Sequence, residues 1–256
     1  MWFSYCNTTK QMKTTNTSDK SQFTYDKSVF LLPTLLVITI WFIYWLEIKF
    51  HYNFNRNGIF PRTLSGLKGI FFSPFIHSGP QHLFNNSSPL FVLIASLLYF
   101  YRKIAFKILI YGTLLSGFIT WVIARPSYHI GASSVIYLLV SFIFFSGIFR
   151  KYYRLVALSL IMVFLYGSMI WYILPIKEGI SWEGHLSGFV VGLLFAIIYR
   201  KVGPQRQEYV FKETEFDTYF DKDGNFKPPS PEKKEDKEEV KANSTSMTYS
   251  KITFTR

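Results

Sequence analysis

Residues 129–150 read His-Ile-Gly-Ala-Ser-Ser-Val-Ile-Tyr-Leu-Leu-Val-Ser-Phe-Ile-Phe-Phe-Ser-Gly-Ile-Phe-Arg. A small polar head, with His129, Ser133 and Ser134, opens into an apolar run that ends at Arg150 and Lys151. Residues 132–149 contain no charge. They are apolar on every helical face, which suits a helix buried among others or crossing the hydrocarbon of a bilayer, where about 20 apolar residues are needed. Working outward, similar runs occur at 29–48, 82–101, 104–124, 153–174 and 182–200. A soluble fold would have to bury all of them at once, so the pattern predicts an all-α membrane protein of six transmembrane helices. The composition agrees, being 49% hydrophobic and 20% aromatic with 27 Phe.

The segments between and beyond these runs differ in character. Residues 1–28 are rich in Ser, Thr, Asn and Lys and read as a flexible tail; they hold no apolar stretch of leader type, so no N-terminal cleavage is expected. Residues 49–80 combine Gly58, Pro61, Gly66, Gly69, Pro74, Gly79 and Pro80 with Phe50, Tyr52, Phe54, Phe60, Phe71, Phe72 and Phe75. Gly and Pro break a spanning helix there, and the aromatic rings favour the membrane interface, so we expect a partly embedded first loop. The domain expectation is therefore a tail at 1–28, a membrane domain at 29–201, and a polar tail of disordered-type composition at 202–256. In that last tail Asp221, Asp223 and Asn225 imitate a calcium loop, but Gly224 comes early and no Glu closes it, so it reads as a charged turn.

Charge assigns an orientation. Residues 1–201 hold 18 basic and 5 acidic residues, whereas 202–256 are nearly neutral. The clusters Arg102–Lys103–Lys107, Arg150–Lys151–Arg154 and Arg200–Lys201–Arg206 fall on one side of a six-helix arrangement. Basic residues close to helix ends mark the cytoplasmic side, so both termini are expected in the cytoplasm of a cell with a bacterial type of inner (plasma) membrane. Arg56, Arg62 and Lys68 in the first loop run mildly against this. The basic excess reads as topology signal and contact with membrane lipids rather than nucleic-acid binding, since no basic stripe lines a polar helix. Cys6 is the only cysteine, which rules out a disulfide framework and a Cys-based metal site.

Ionisable groups at membrane depth are costly and mark function. No Asp occurs between Asp26 and Asp217, and residues 29–201 hold only Glu47, Glu178 and Glu183 as acids. Paired intramembrane aspartates are thus excluded, and no His-Glu-x-x-His string exists for a zinc protease. The remaining polar set is His77, His82, Asn85, Asn86, His129, Ser133, Ser134 and His185. His82 and Asn86 open the second run, Ser133 the fourth and His185 the sixth, so three helices should bring polar groups to one level near the outer surface. Acyl transfer needs such a set. A serine hydroxyl requires an adjacent base, here His185, and the developing oxyanion requires preorganised donors. His82 and Asn86, spaced i, i+4, share a helix face, and the Ser133 backbone N–H can add a donor. No carboxylate is at hand to orient His185, so a dyad is expected, with Tyr137 stacking on the imidazole. Gly131 precedes the serine, and Gly188 and Gly192 follow His185 on one small-residue stripe that lets helices approach.

The strings His77-x4-His82-Leu-Phe-Asn-Asn86, His129-Ile-Gly131-Ala-Ser133-Ser-x-x-Tyr137 and Gly184-His185-x-x-Gly188-x-x-x-Gly192 together resemble the rhomboid intramembrane serine proteases over about residues 29–200. The resemblance implies a six-transmembrane-helix rhomboid-like bundle with a membrane-embedded first loop. It implies Ser133 as nucleophile, His185 as general base and acid, and an oxyanion site from His82, Asn86 and the Ser133 N–H. It also implies cleavage of transmembrane protein substrates near their outer end, with no metal or cofactor. His77 fits either a supporting place in that site or a structural hydrogen bond in the first loop. His129 and Arg62 are expected to hold loops together, Asn85 to neighbour the oxyanion site, and the fifth helix and first loop to act as gates. Ser134 stands where the family usually has Gly. The alternative is a catalytically weak or inactive relative that binds membrane clients. Transport is disfavoured for want of embedded coupling groups. Oligomeric state is left open by the sequence.

Overall fold

A computed structural model describes residues 26–165, 171–176, 179–204, 214, 216–221 and 223–227. The tail at 1–25 and most of 205–256 lie outside the described residues. The chain separates into two units, residues 1–206 and 207–256. Helices α1 (Ser28–Phe50), α2 (Pro80–Tyr101), α3 (Ala105–Ile123), α4 (Ser133–Phe149), α5 (Tyr153–Leu165) and α6 (Trp182–Ile198) make up the first unit's frame. Among the described residues α1, α2 and α3 are long and apolar enough to cross a membrane, while α4, α5 and α6 are shorter apolar helices. Pairing between extended segments is confined, among the described residues, to isolated bridges. The chain is a helical integral membrane protein.

Helix α4 is the centre. Every residue from Val135 to Ile143 is buried, and Leu138, Leu139, Phe142 and Ile143 are fully enclosed. Its lack of a polar face leaves it no stable position except among other helices, and α6, α5, α2 and α3 pack around it. Among the described residues the α4–α6 contact is the most extensive. A Cβ on Gly188 would collide with the Ser134 carbonyl oxygen, and one on Gly192 with the Leu138 carbonyl oxygen. The two backbones therefore touch, and Ser141 Oγ donates across to the Phe189 carbonyl at 2.7 Å. At the other end Tyr101 OH donates to Ser146 Oγ at 2.8 Å, and Arg150 caps α6 by donating to the Tyr199 carbonyl at 2.5 Å.

Helix α1 packs on α2 and leaves Phe30, Leu31, Leu35, Ile38, Trp41, Phe42 and Trp45 exposed, as befits a helix facing lipid. Its start is tied to the end of α2 by the Asp26–Arg102 ion pair, and the Arg102 guanidinium holds the Asp26 carboxyl below its usual value.

The first loop contains short helical turns at Phe54–Asn57, Leu64–Leu67, Gly69–Phe72 and Ser73–Phe75. Ile70, Ser73, Ile76 and His77 are buried while Phe71, Phe72 and Leu64 are exposed. Arg62 Nη1 donates to the Val122 and Ala124 carbonyls at 3.1 and 2.9 Å, fastening this loop to the end of α3.

The fifth apolar run differs from its expected extent of 153–174. Helix α5 is described to Leu165, residues 166–170 lie outside the described residues, and Trp171–Ile173 is a 3-10 turn. In the second unit, Asp221 Oδ1 accepts the N–H groups of Asp223 and Asn225 at 2.9 and 2.8 Å, and Phe220 bridges Phe226. The carboxylate is used locally, as in a charged turn.

Replacing Gly188 with Val should separate α4 from α6. We expect a loss of at least 1–3 kcal/mol, on the order of ordinary overpacking, read as a lower midpoint of thermal unfolding in detergent. A midpoint equal to wild type would mean that the close approach is not required.

Candidate active site

Three helix starts meet at one end of the bundle around a cavity of about 1300 Å³, whose wall includes His82, Asn86, Ser133, Tyr137, Tyr172 and His185. Ser133 is the first residue of α4, and no side chain caps that helix at Ala132. The N–H groups of its first turn thus have no partner within the helix. The turn leading into it is specific. Gly131 has φ +103°, a conformation side chains disfavour, and a Cβ there would lie 2.7 Å from His82 Nε2. Its N–H donates to the Ser73 carbonyl at 2.8 Å, and the Ala132 N–H points to His77 Nε2 at 3.5 Å. Both contacts attach the serine's turn to the first loop, so His77 holds this turn.

His185 lies in the first turns of α6 and is buried. Its Nε2 is 2.9 Å from Ser133 Oγ, and its Nδ1 is 2.8 Å from the Tyr172 carbonyl. A carbonyl only accepts, so Nδ1 carries the proton and Nε2 offers a lone pair to the Ser133 hydroxyl. The Tyr137 ring stacks on the imidazole, with centroids 4.3 Å apart and planes 17° from parallel. It is Ser133 and not Ser134 whose hydroxyl meets the histidine. Ser134 instead turns its carbonyl against Gly188.

His82 and Asn86 also lie on the cavity wall. The His82 ring packs edge-on to His77, with centroids 5.0 Å apart, and its Nδ1 is 3.3 Å from Ser78 Oγ. Asn86 Nδ2 donates to the His82 carbonyl at 2.8 Å, which uses one of the amide's two N–H bonds. Asn85 accepts from Gln81 at 2.9 Å on the cavity rim. His129 pairs its backbone with Ile59 and brings its Nδ1 within 2.6 Å of Ser181 Oγ.

The sequence assigns no role to three groups that lie near the site. The Tyr172 carbonyl carries no side-chain signal at all. Arg125 and Glu183 were visible as rare charges at helix ends, and in the structure they form an ion pair, Nε to Oε1 at 3.7 Å, beside Ser181.

Residues 65–202 match the Rhomboid domain family model. The chain belongs to the rhomboid family. Over 167 residues it is 33% identical to uncharacterized proteins of Mycobacterium tuberculosis and Mycobacterium bovis, an alignment spanning 61% of this chain and 68% of each of theirs. Over 182 residues it is 31% identical to an uncharacterized protein of Mycobacterium leprae, covering 65% and 69%. This rhomboid carries all three polar helix starts inside or beside the matched region.

Two outcomes follow. Gly131→Ala should destabilise the fold by about 1–3 kcal/mol through a left-handed alanine and displace His82, seen as a lowered unfolding midpoint; an unchanged midpoint would remove the constraint. Burial holds His129 below its ordinary value of 6.5. A depressed histidine contributes stability fully present above its unfolded value and lost as the pH falls toward its folded one. Acid unfolding should therefore begin as pH drops below 6.5, and His129→Asn should flatten that part of the stability curve.

Proposed function

We propose that this rhomboid is an intramembrane serine endopeptidase that cuts transmembrane protein substrates near the outer membrane face through Ser133 and His185. The contact that carries the proposal is His185 Nε2 to Ser133 Oγ, 2.9 Å, inside a cavity rather than in packed protein. Ser133 Oγ attacks the scissile carbonyl carbon as Nε2 takes its proton. The Nδ1–H bond to the Tyr172 carbonyl keeps the imidazole in the needed tautomer and then helps to stabilise the imidazolium. A main-chain carbonyl thus serves where soluble triads use a carboxylate.

The tetrahedral oxyanion forms beside the uncapped start of α4, where the Ser133 N–H, the helix dipole, His82 and the second Asn86 N–H provide the stabilising field. His185 then returns its proton to the leaving amine, and an ester to Ser133 remains. Water activated by the same base hydrolyses that ester. The clusters of Arg and Lys at the opposite helix ends support a cytoplasmic placement of both termini and an outward-facing site, in a bundle that spans the membrane six times.

The full-length protein, purified in detergent with a single-span substrate, tests the proposal on a gel. Ser133→Ala and His185→Ala should each lower cleavage by at least about 10³-fold, whereas Ser134→Ala should cleave within a few-fold of wild type. Cleavage that persists in Ser133→Ala would sink the dyad, and a silent wild type across several substrates would favour client binding instead.

A further inference from the structure

We infer that Glu183 is a positioning residue which, with Arg125, His129 and Ser181, forms a clasp that sets the spacing of Ser133 and His185. The inference rests on the dyad proposed above. Ser133 and His185 stand on different helices, and nothing covalent holds them at 2.9 Å. The glycine contacts fix the two helix axes, and the loop before each residue is a second place where their separation can be adjusted. His129 precedes Ser133 by four residues, and Ser181 precedes His185 by four. Those two residues meet, His129 Nδ1 to Ser181 Oγ, at 2.6 Å.

Arg125 makes the second link. Its backbone N–H donates to Glu183 Oε1 at 3.2 Å, its Nη2 donates to the Ile180 carbonyl at 2.6 Å, and its Nε lies 3.7 Å from the same carboxylate oxygen. The Arg125 carbonyl in turn is 3.1 Å from His129 Nε2. Nε2 is therefore the donor and Nδ1 the acceptor of the Ser181 hydroxyl, so each member of the ring of contacts has a defined polarity.

The burial of Glu183 is what separates this arrangement from ordinary loop packing. Its residue is 2% exposed, its Oε2 has no hydrogen-bond partner among the described residues, and the Arg125 side chain beside it is 42% exposed. Burying a carboxylate with one oxygen unpaired is expensive, and a neutral residue would fill the same space at less cost. The start of α6 offsets part of that cost, since a negative charge is favoured in a helix's first turn. What the charge retains in return is a hold on both the main chain and the guanidinium of Arg125, the residue where α3 hands over to the serine's loop. Glu183 itself stands two residues from His185 on the same helix. A shift here moves nucleophile relative to base without touching either.

The test uses the full chain in detergent with the single-span substrate, and measures kcat, KM, the rate of Ser133 labelling by a fluorophosphonate probe, and the unfolding midpoint. Glu183→Ala should lower kcat and the labelling rate together by about 10- to 100-fold, as expected for a misplacement near 1 Å, with KM little changed. Glu183→Gln should recover part of the loss, because its amide oxygen still accepts the Arg125 N–H. Ser181→Ala, which leaves both charges in place, should show a smaller fall in kcat. Arg125→Ala combined with Glu183→Ala should cost less than the product of the two single losses. Wild-type kcat and labelling in Glu183→Ala overturn the clasp, as does a raised KM with kcat intact, which would place the pair on the substrate side. If Glu183→Ala does not fold, Glu183→Gln and Ser181→Ala decide, and wild-type kcat in both overturns the clasp. Cleavage by Ser133→Ala strikes the dyad itself and is thereby told apart.

Discussion

Helices α4 and α6 touch backbone to backbone, with the Cα atoms of Gly188 and Gly192 against the carbonyl oxygens of Ser134 and Leu138. In a bilayer, apolar side chains gain little by leaving lipid for protein, so close van der Waals contact and hydrogen bonds such as Ser141 to Phe189 must hold helices together. Small residues make that possible. They also determine where everything else on the two helices stands. Ser133 opens one helix, His185 opens the other, and an axis separation set a turn or two below delivers them within hydrogen-bond distance.

Around that contact the polar groups are satisfied by main chain more than by side chains. The His185 Nδ1 proton goes to the Tyr172 carbonyl, His129 Nε2 to the Arg125 carbonyl, and Arg62 to two carbonyls at the end of α3. This economy suits a membrane domain. A carboxylate carries a far larger desolvation cost than a carbonyl does, and orienting an imidazole needs only an acceptor at the right place. The exception, Glu183, lies at a helix start and next to a cation, where a buried negative charge is least unfavourable.

Much of this was legible from sequence for reasons of patterning. Apolar runs, the Gly and Pro breaks of residues 49–80, and polar residues at the openings of the second, fourth and sixth runs are local features, and each carries its meaning within a few residues. The i+4 spacing of Tyr137 from Ser133 and the stripe of Gly188 and Gly192 are likewise local, because a helix converts spacing into direction. The structure stacks Tyr137 on His185 and seats both glycines against α4. The fifth apolar run continues in hydropathy to Leu174, whereas Trp171–Ile173 is a 3-10 turn, a backbone difference that hydropathy does not report.

What the sequence determined by itself was an apolar helical chain, its breaks, and the short list of polar residues at the openings of its apolar runs. Composition and spacing are sufficient for these, since hydrocarbon penalises every unpaired polar group and leaves few exceptions to notice. Tertiary structure alone decided the partners. Which carbonyl takes the His185 Nδ1 proton depends on a segment 13 residues earlier in the chain, and the joining of Arg125 to Glu183 across two loops spans 58 residues. Such contacts are set by how helices dock and by the direction of main-chain groups, and a main-chain group is chemically the same at every residue.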